Sequence, residues 1–310
     1  MNDFLLSIVI PVFNEKDNIR PLLESLLSIV EHYSYEILFI NDGSRDGTDT
    51  VIREIAQKNK NIKLVSFNRN FGHQIALVAG YSFAKGDAVI SMDADLQDPP
   101  DVIPQMIAKW QQGAKIVYAK RKKRDVDSIF KKKTAAFFYQ FMNMLSDIKI
   151  PENVGDFRLL DRTAVEYLSS LPEHAPFLRG LVAWGGYQED YVYFDREERH
   201  SGKTHYSISK MINFALDGIT SFSVKPLRLA TYMGFTAGSF GFLGIIYAVI
   251  GKFFLPIPWV TGWTGIFVGI MFIGGVQLIT IGIIGEYISK IYLEVLRRPH
   301  YLLKEKINID

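Results

Sequence analysis

The chain has 310 residues, of which 48% are hydrophobic and 13% aromatic, with 35 basic and 33 acidic side chains and no cysteine. The lack of cysteine excludes disulfides, thiolate metal sites and a cysteine nucleophile, and a formal net charge of +2 argues against a dedicated nucleic-acid binder. The length suffices for one large domain and an appendage. The first residues lack the basic start and cleavage site of a signal peptide, so we expect the amino-terminal part to stay in the cytoplasm.

Continuous apolar runs alternate with helix-like segments over residues 5–119. Runs without polar alternation are typical of strands that are buried on both faces of a sheet. The predicted strands are Leu5–Val12, Tyr35–Ile40, Ile62–Phe67, Ala88–Met92 and Lys115–Ala119. The predicted helices lie near 18–32, 47–59, 74–84 and 102–112. This order predicts an α/β fold with a doubly wound, mainly parallel sheet, which binds ligands at the carboxyl ends of its strands.

Positive charge and aromatic residues are dense between residues 120 and 225. A predicted helix over 130–145 has an aromatic face with lysines near its start, and it either packs on the domain or lies on a membrane surface as an amphipathic helix. A second amphipathic segment, Ile208–Phe222, leads into the apolar carboxyl-terminal part. We therefore expect acceptor-side and interfacial helices in this region.

Two uncharged segments near the carboxyl terminus are long enough to span a bilayer. We predict transmembrane helices at about 229–251 and 262–288, joined as a hairpin by a short proline turn. Basic residues flank both ends of the hairpin, which by the positive-inside rule places both termini in the cytoplasm. The glycine-rich helix faces can pack within one hairpin or between subunits of a homo-oligomer. The expected organisation is a cytoplasmic catalytic domain over 1–225, the membrane hairpin within 226–295 and a cytoplasmic tail over 296–310.

Polar motifs follow three of the predicted strands. Asp93-Ala94-Asp95 follows the fourth and precedes Leu96-Gln97-Asp98-Pro99-Pro100. Carboxylates at a strand end can hold a divalent cation, and the cation can hold a diphosphate. Pro11-Val12-Phe13-Asn14-Glu15 ends the first strand and Asn41-Asp42-Gly43-Ser44 ends the second. No glycine-rich fingerprint follows the first strand, which disfavours a dinucleotide-binding Rossmann site.

These motifs, together with the segment Gly155–Arg162 and Gly285-Glu286-Tyr287, resemble family 2 glycosyltransferases of the A-type fold. Within that family the chain is similar to polyprenyl-phosphate hexosyltransferases of the bactoprenol glucosyltransferase type, which carry two carboxyl-terminal membrane helices. The Q-x-x-R-W signature of processive polysaccharide synthases is absent. The resemblance therefore implies a single sugar transfer rather than chain growth.

The resemblance also implies roles for individual residues. The nucleotide-sugar pocket would be lined by Pro11, Val12, Asn14, Glu15, Asp42, Asp93 and Asp95. Mg²⁺ or Mn²⁺ would be held on the diphosphate by Asp95 and Gln97. In two places the chain departs from the family, because Asn41 stands where many members have an Asp and His73 where relatives often carry Lys.

Asp156 falls where the family places its catalytic base. A phosphate monoester has a second pKa of about 6, so an acceptor phosphate is largely ionised and needs little deprotonation. Asp156 would then orient the acceptor or stabilise positive charge on the sugar instead of acting as a base. A purely structural carboxylate, in a turn or at a helix cap, is the remaining interpretation.

Basic residues beside the expected membrane surface are candidates for the lipid phosphate, because arginine offers paired contacts to phosphate oxygens. These candidates are Arg121, Arg124, Arg196, Arg199 and Lys203.

The sequence leads to one functional hypothesis with two alternatives. The protein would be an inverting, metal-dependent transferase that moves one hexose, glucose from UDP-glucose, to undecaprenyl (polyprenyl) phosphate at the cytoplasmic face of the inner membrane. GDP-mannose or another UDP-sugar is the alternative donor. The alternative from another class is a non-catalytic membrane scaffold or flippase subunit.

Overall fold

The structure is a computed structural model that describes residues 4–122, 151, 154–174, 176–195, 220–254 and 262–309. The chain divides into two compact units. The first contains the sheet and also residues 298–309, whereas the second contains the two long carboxyl-terminal helices. The predicted helix over 130–145 and most of the segment Ile208–Phe222 lie outside the described residues.

The first unit is built from eight described strands and their connecting helices. The strands are β1 (Leu5–Val12), β2 (Ser34–Asn41), β3 (Ile62–Phe67), β4 (Ala88–Ser91), β5 (Ile116–Arg121), β6 (Val154–Asp161), β7 (Glu189–Phe194) and β8 (Leu303–Ile307). The helices are α1 (Lys16–Val30), α2 (Thr48–Lys58), α3 (His73–Phe83), α4 (Ile103–Gln111, after a 3₁₀ turn over Pro100–Val102), α5 (Arg162–Ser170) and α6 (Leu178–Trp184). Each predicted strand and helix of residues 5–119 is present within a few residues of its predicted bounds.

The strands form one mixed sheet in the order β7-β5-β6-β4-β1-β2-β3-β8. Six of these strands run in one direction, and β6 and β8 run in the other. The predicted α/β fold with a mainly parallel sheet is therefore confirmed.

The central strands are buried on both faces, which is why their sequences are continuously apolar. Leu6, Ile8 and Ile10 of β1 belong to the core that α1, α2 and α4 cover on one face. On the other face α3 approaches so closely that a Cβ at Gly80 would lie 2.1 Å from Val9 Cγ1. Each fully buried Leu or Ile contributes about 1.5–3 kcal/mol. The helices thus hold the parallel strands in place. The loops with the polar motifs follow the carboxyl ends of these strands.

Strand β6 is inserted antiparallel between β4 and β5. Its residue Arg158 pairs with Ser91, at the carboxyl end of β4. Because β6 runs in the opposite direction, its first residues lie at the edge where β4 ends. Asp156, which is 63 positions after Asp93 by residue number, is thereby brought to the same edge of the sheet.

Residues after the long helices return to the sheet as β8, which pairs antiparallel with β3. Arg53 donates from Nε and Nη2 to the carboxylate of Glu305 at 3.1 and 2.7 Å, and the Tyr301 ring stacks on Phe67 at 4.7 Å. The predicted tail over 296–310 therefore contains an edge strand of the first unit.

The second unit contains α7 (Lys225–Phe254) and α8 (Trp263–Leu296), which contact each other. Within the described residues, one helical stretch is long and apolar enough to cross a membrane, Gly269–Leu296, and none of it is buried. Within this stretch the Tyr287 hydroxyl donates a hydrogen bond to the Ser223 carbonyl at 2.6 Å. The two-span hairpin remains a prediction.

Candidate active site

The loops after β1 and β2 are joined by hydrogen bonds at the carboxyl edge. Asn14, which adopts a left-handed backbone (φ 57°), accepts from the Arg45 N–H at 2.9 Å and donates its own N–H to Ser44 Oγ at 2.9 Å. The N–H of Glu15 donates to Thr48 Oγ1 at 3.0 Å. Asn tolerates this backbone conformation better than most residues. The predicted pocket residues Asn14 and Glu15 thus hold the two loops together, and the buried Pro11 and Val12 end β1 directly beneath them.

Asp42 is buried and organises the loop after β3. Its carboxylate accepts the backbone N–H groups of Phe71 at 2.6 Å and Gly72 at 2.9 Å. Burial raises the pKa of Asp42, and these two hydrogen bonds partly oppose the rise. A Cβ at Gly43 would lie 2.4 Å from the Arg69 carbonyl carbon, so only glycine fits there. Asp42 therefore has a structural task at the edge where the sequence predicts nucleotide contacts.

The segment after β4 makes a tight turn that presents oxygen ligands. Leu96 adopts a left-handed backbone (φ 61°), and the Gln97 N–H donates to Asp95 Oδ1 at 3.2 Å. Asp95 and Gln97 thereby lie on one turn, in which the backbone of Gln97 holds the Asp95 side chain. A carboxylate and an amide oxygen are hard ligands, which fit Mg²⁺ or Mn²⁺ when substrate phosphates complete the coordination. Within the described part of the chain no group of three or more His, Cys, Asp or Glu side chains could hold a metal alone.

Asp98 stabilises this turn through a hydrogen bond to its backbone. Its Oδ2 accepts the backbone N–H of Asp93 at 3.2 Å. Burial, together with the charge of Asp93, raises the pKa of Asp98 to about 7. Asp98 belongs to the motif that follows β4, but it was not predicted as a site residue.

Asp156 lies in a cluster of cationic and amide groups. Arg158 Nη2 donates to Asp156 Oδ1 at 2.6 Å. Asp156 Oδ2 accepts from Arg179 Nη2 at 3.3 Å and from Gln74 Nε2 at 3.5 Å, and His73 Nε2 lies 3.4 Å from it. Burial alone would raise the pKa of Asp156, but the hydrogen bond with His73 and the charges of Arg179 and Arg158 outweigh it and hold the pKa well below its usual range.

His73 begins α3 and bridges two of the predicted site carboxylates. Its Nε2 lies 3.4 Å from Asp156 Oδ2 and 3.6 Å from Asp93 Oδ1. Burial opposes protonation of the ring, but the hydrogen bond to Asp156 and the charges of Asp93 and Asp156 prevail and raise the pKa of His73 to about 9. At neutral pH His73 is thus a cation.

The raised pKa of His73 predicts a pH dependence of stability. The pKa is about 6.5 in the unfolded chain and about 9 in the folded one. The stabilisation of the folded protein by protonated His73 is therefore fully present below pH 6.5 and is lost as the pH rises to 9. We expect the thermal midpoint of the purified protein to fall over this interval, and to fall less in His73→Gln. His32→Gln, at an exposed position of the same unit, is the control. Equal pH slopes in the wild type and His73→Gln would contradict the assignment.

The structure thus brings together Asp93, Asp95, Gln97 and Asp156 at one edge. Arg121 ends β5, and its guanidinium lowers the pKa of Asp98, which places its charge near the same edge. The other predicted acceptor ligands lie outside the described residues, namely Arg124, Arg196, Arg199 and Lys203.

Three residues of this cluster were not predicted as site residues from the sequence, namely Gln74, Arg158 and Arg179. Arg158 had a usable signal, because two residues separated by one position point to the same face of a strand and Arg158 follows Asp156 at that spacing. Arg179 had none, since only the packing of α6 brings it to Asp156.

The sequence profile of glycosyl transferase family 2 matches residues 7–168, more than half of the chain. The chain therefore belongs to glycosyl transferase family 2 and is a glycosyltransferase, as the motifs predicted.

Relatives resemble the chain over nearly its whole length. It is 46% identical over 302 residues to the SfII prophage-derived bactoprenol glucosyl transferase of Shigella flexneri, with 97% of each chain covered. It is 44% identical over 301 residues to the prophage bactoprenol glucosyl transferase homolog of Escherichia coli strain K12, with 96% of this chain and 98% of the relative covered. The predicted resemblance to bactoprenol glucosyltransferases is confirmed.

Solved structures show more distant similarity. The glucosyl-3-phosphoglycerate synthase of Mycobacterium tuberculosis, in complex with Mn²⁺ and UDP-glucose, is 18% identical with a TM-score of 0.46, over 70% of this chain and 77% of its own. The mannosyltransferase of Pyrobaculum calidifontis, in complex with GDP-Man and Mn²⁺, is 14% identical with a TM-score of 0.47, over 90% of this chain and 87% of its own.

Proposed function

We propose that this protein transfers one glucose from UDP-glucose to undecaprenyl phosphate, a polyprenyl phosphate, at the cytoplasmic face of the inner membrane. The transfer inverts the anomeric configuration and depends on Mg²⁺ or Mn²⁺. The observation that carries the proposal is the strand-edge site in which His73 bridges Asp93 of the metal-site turn to Asp156. It occurs in a chain that is 46% identical to a bactoprenol glucosyl transferase.

The donor side of the site follows from the two strand-end loops. The loops after β1 and β2, joined through Asn14 and Glu15, flank the nucleotide, and Asp93 borders the ribose and sugar. Asp95 and Gln97 are the residues that would hold the metal. A metal bound there would supply positive charge to stabilise the departing nucleoside diphosphate. The Asp95 carboxylate is preorganised for this by the hydrogen bond that it accepts from the backbone N–H of Gln97.

The acceptor side needs positive charge near the lipid phosphate. Arg121 at the end of β5 supplies one such group beside Asp98. The basic residues Arg124, Arg196, Arg199 and Lys203 complete the proposed acceptor set. A phosphate that is attached to a polyprenyl chain stays at membrane depth, so membrane attachment of the enzyme raises the frequency of productive encounters.

Chain connectivity supports two membrane crossings. Strands β7 and β8 belong to one sheet, although α7 and α8 lie between them in the chain. If that sheet lies on one side of a membrane, the intervening chain crosses an even number of times. α8 contains an apolar stretch that is long enough to cross a membrane. The second crossing, in the opposite direction, is therefore assigned to α7. This favours the multi-pass arrangement with both ends in the cytoplasm.

The proposal is tested with the purified full chain in lipid nanodiscs. Labelled UDP-glucose, undecaprenyl phosphate and Mn²⁺ or Mg²⁺ should give a labelled lipid, and EDTA should prevent its formation. Undecaprenol, which lacks the phosphate, is the control acceptor and should remain unlabelled. Parallel reactions with GDP-mannose and other UDP-sugars identify the donor. The absence of labelled lipid with every nucleotide sugar would refute the proposal.

A further inference from the structure

We infer that Arg179 and His73 form a binding site for the acceptor's phosphate group, and that Asp156 positions these two cations rather than removing a proton. This inference rests on the proposed function, because it assigns a place to the acceptor of that reaction. It adds two residues that neither the motifs nor the family resemblance assigned to the acceptor.

The hydrogen-bonding state of Asp156 is the first support. Asp156 is only 7% exposed. One carboxylate oxygen accepts from Arg158 at 2.6 Å, and the other is surrounded by Arg179, Gln74 and His73 at 3.3 to 3.5 Å. A carboxylate that is engaged at both oxygens by cationic and amide donors is a poor proton acceptor. It is well suited to hold those donors in fixed positions.

The charges of the cluster are the second support. Three cationic groups, His73, Arg158 and Arg179, meet two carboxylates, Asp156 and Asp93. Asp156 thus contacts all three cationic groups at once. Arg158 is fully buried, but the side chains of Arg179 and His73 are 26% and 42% exposed. These two can therefore reach an anion while they remain held by Asp156.

The placement of the cluster indicates which anion it binds. The Leu178 N–H donates to Gln74 Oε1 at 3.2 Å, which ties the start of α6 to the start of α3. Arg179 and His73 consequently converge on Asp156, and His73 also lies 3.6 Å from Asp93 at the edge of the donor site. The donor diphosphate would be neutralised by the metal that Asp95 and Gln97 would hold, whereas the acceptor phosphate brings up to two negative charges and no cation. A guanidinium and an imidazolium are suitable partners for it.

The chemistry of the transfer is consistent with a cationic site without a base. A bond forms between a phosphate oxygen and the anomeric carbon, and the bond from that carbon to the diphosphate oxygen breaks. The electron pair leaves with the nucleoside diphosphate. No proton needs to move when the acceptor phosphate enters as a dianion, which prevails above its second pKa of about 6.

The test separates acceptor binding from donor binding. In the nanodisc assay, Arg179→Ala should raise the KM for undecaprenyl phosphate about 10- to 100-fold, which is the range for loss of a charged hydrogen bond. The KM for UDP-glucose should stay within about twofold. Arg179→Lys, which keeps the charge, should recover part of the loss, and His73→Gln should act in the same direction as Arg179→Ala. Arg20→Ala, an exposed arginine paired with Glu54, is the matched control and should leave both KM values unchanged.

A binding measurement keeps the test independent of turnover. Equilibrium binding of labelled undecaprenyl phosphate without donor should weaken in Arg179→Ala by the same factor as the KM. Unchanged acceptor KM and acceptor binding in both variants would overturn the inference, and so would a rise confined to the KM for UDP-glucose. These outcomes require an active wild type, so they differ from failure of the proposed function, in which the wild type itself forms no labelled lipid.

Discussion

Asp95→Asn is expected to lower the rate of hexose transfer by at least about 100-fold at saturating substrate. Asparagine has the same shape and can still accept the Gln97 N–H, but it lacks the negative charge that attracts a divalent cation. The turn should therefore persist while the metal affinity is lost. Transfer rates measured across a Mn²⁺ titration would show both the lower maximum and a shift to higher metal concentration.

Two further variants test whether the loss of activity comes from the loss of a charged metal ligand. Gln97→Ala removes a neutral ligand and should have a smaller effect than Asp95→Asn, because charge dominates the attraction for the cation. Asp101→Asn, an exposed carboxylate a few residues after the turn, is the control and should keep wild-type activity. If Asp95→Asn retained full activity with an unchanged metal requirement, Asp95 would not be a metal ligand.

Asp156→Leu is expected to lower the free energy of unfolding by about 3–5 kcal/mol, because removal of one partner leaves a buried charge without compensation. The remaining partner, Arg158, is 0% exposed and stays protonated at any accessible pH. The variant should also be inactive, since His73 and Arg179 lose the carboxylate that holds them. Denaturant unfolding in detergent, followed by tryptophan fluorescence, would measure the change.

The double variant Asp156→Leu/Arg158→Leu distinguishes stability from function. Replacement of both members of a buried pair by apolar residues is often neutral or stabilising, so the double variant should regain most of the lost stability. It should remain inactive. A single Asp156→Leu variant as stable as the wild type would show that the ion pair is not buried in the folded protein.

Much of the first unit could be predicted from local pattern. The strands Leu5–Val12 and Ile62–Phe67 were placed at their observed bounds, because strands that are buried on both faces must be continuously apolar. The motifs at Asp42 and Asp93 could be assigned to one edge, since parallel strands end on the same side of a sheet.

Strands β6 and β8 were missed for two different reasons. β6 contains Asp156 and Arg158, whose charges argue against a buried strand until their pairing is known. β8 has three consecutive charged residues, Lys304, Glu305 and Lys306, between two apolar ones at the rim of the sheet, and its exposed lysines are typical of an edge strand that resists aggregation. Neither pattern resembles that of the central strands.

The sequence by itself determined the family, the mainly parallel sheet and the turn that carries Asp95 and Gln97, because each depends on residues that are close together in the chain or on strands with a strong apolar signal. The tertiary structure decided the surroundings of Asp156. His73, Arg158 and Arg179 reach it from α3, β6 and α6, and only the antiparallel insertion of β6 and the packing of α6 against the start of α3 bring them together. The pKa of Asp156 and of His73 depends on those contacts, and no local pattern contains them.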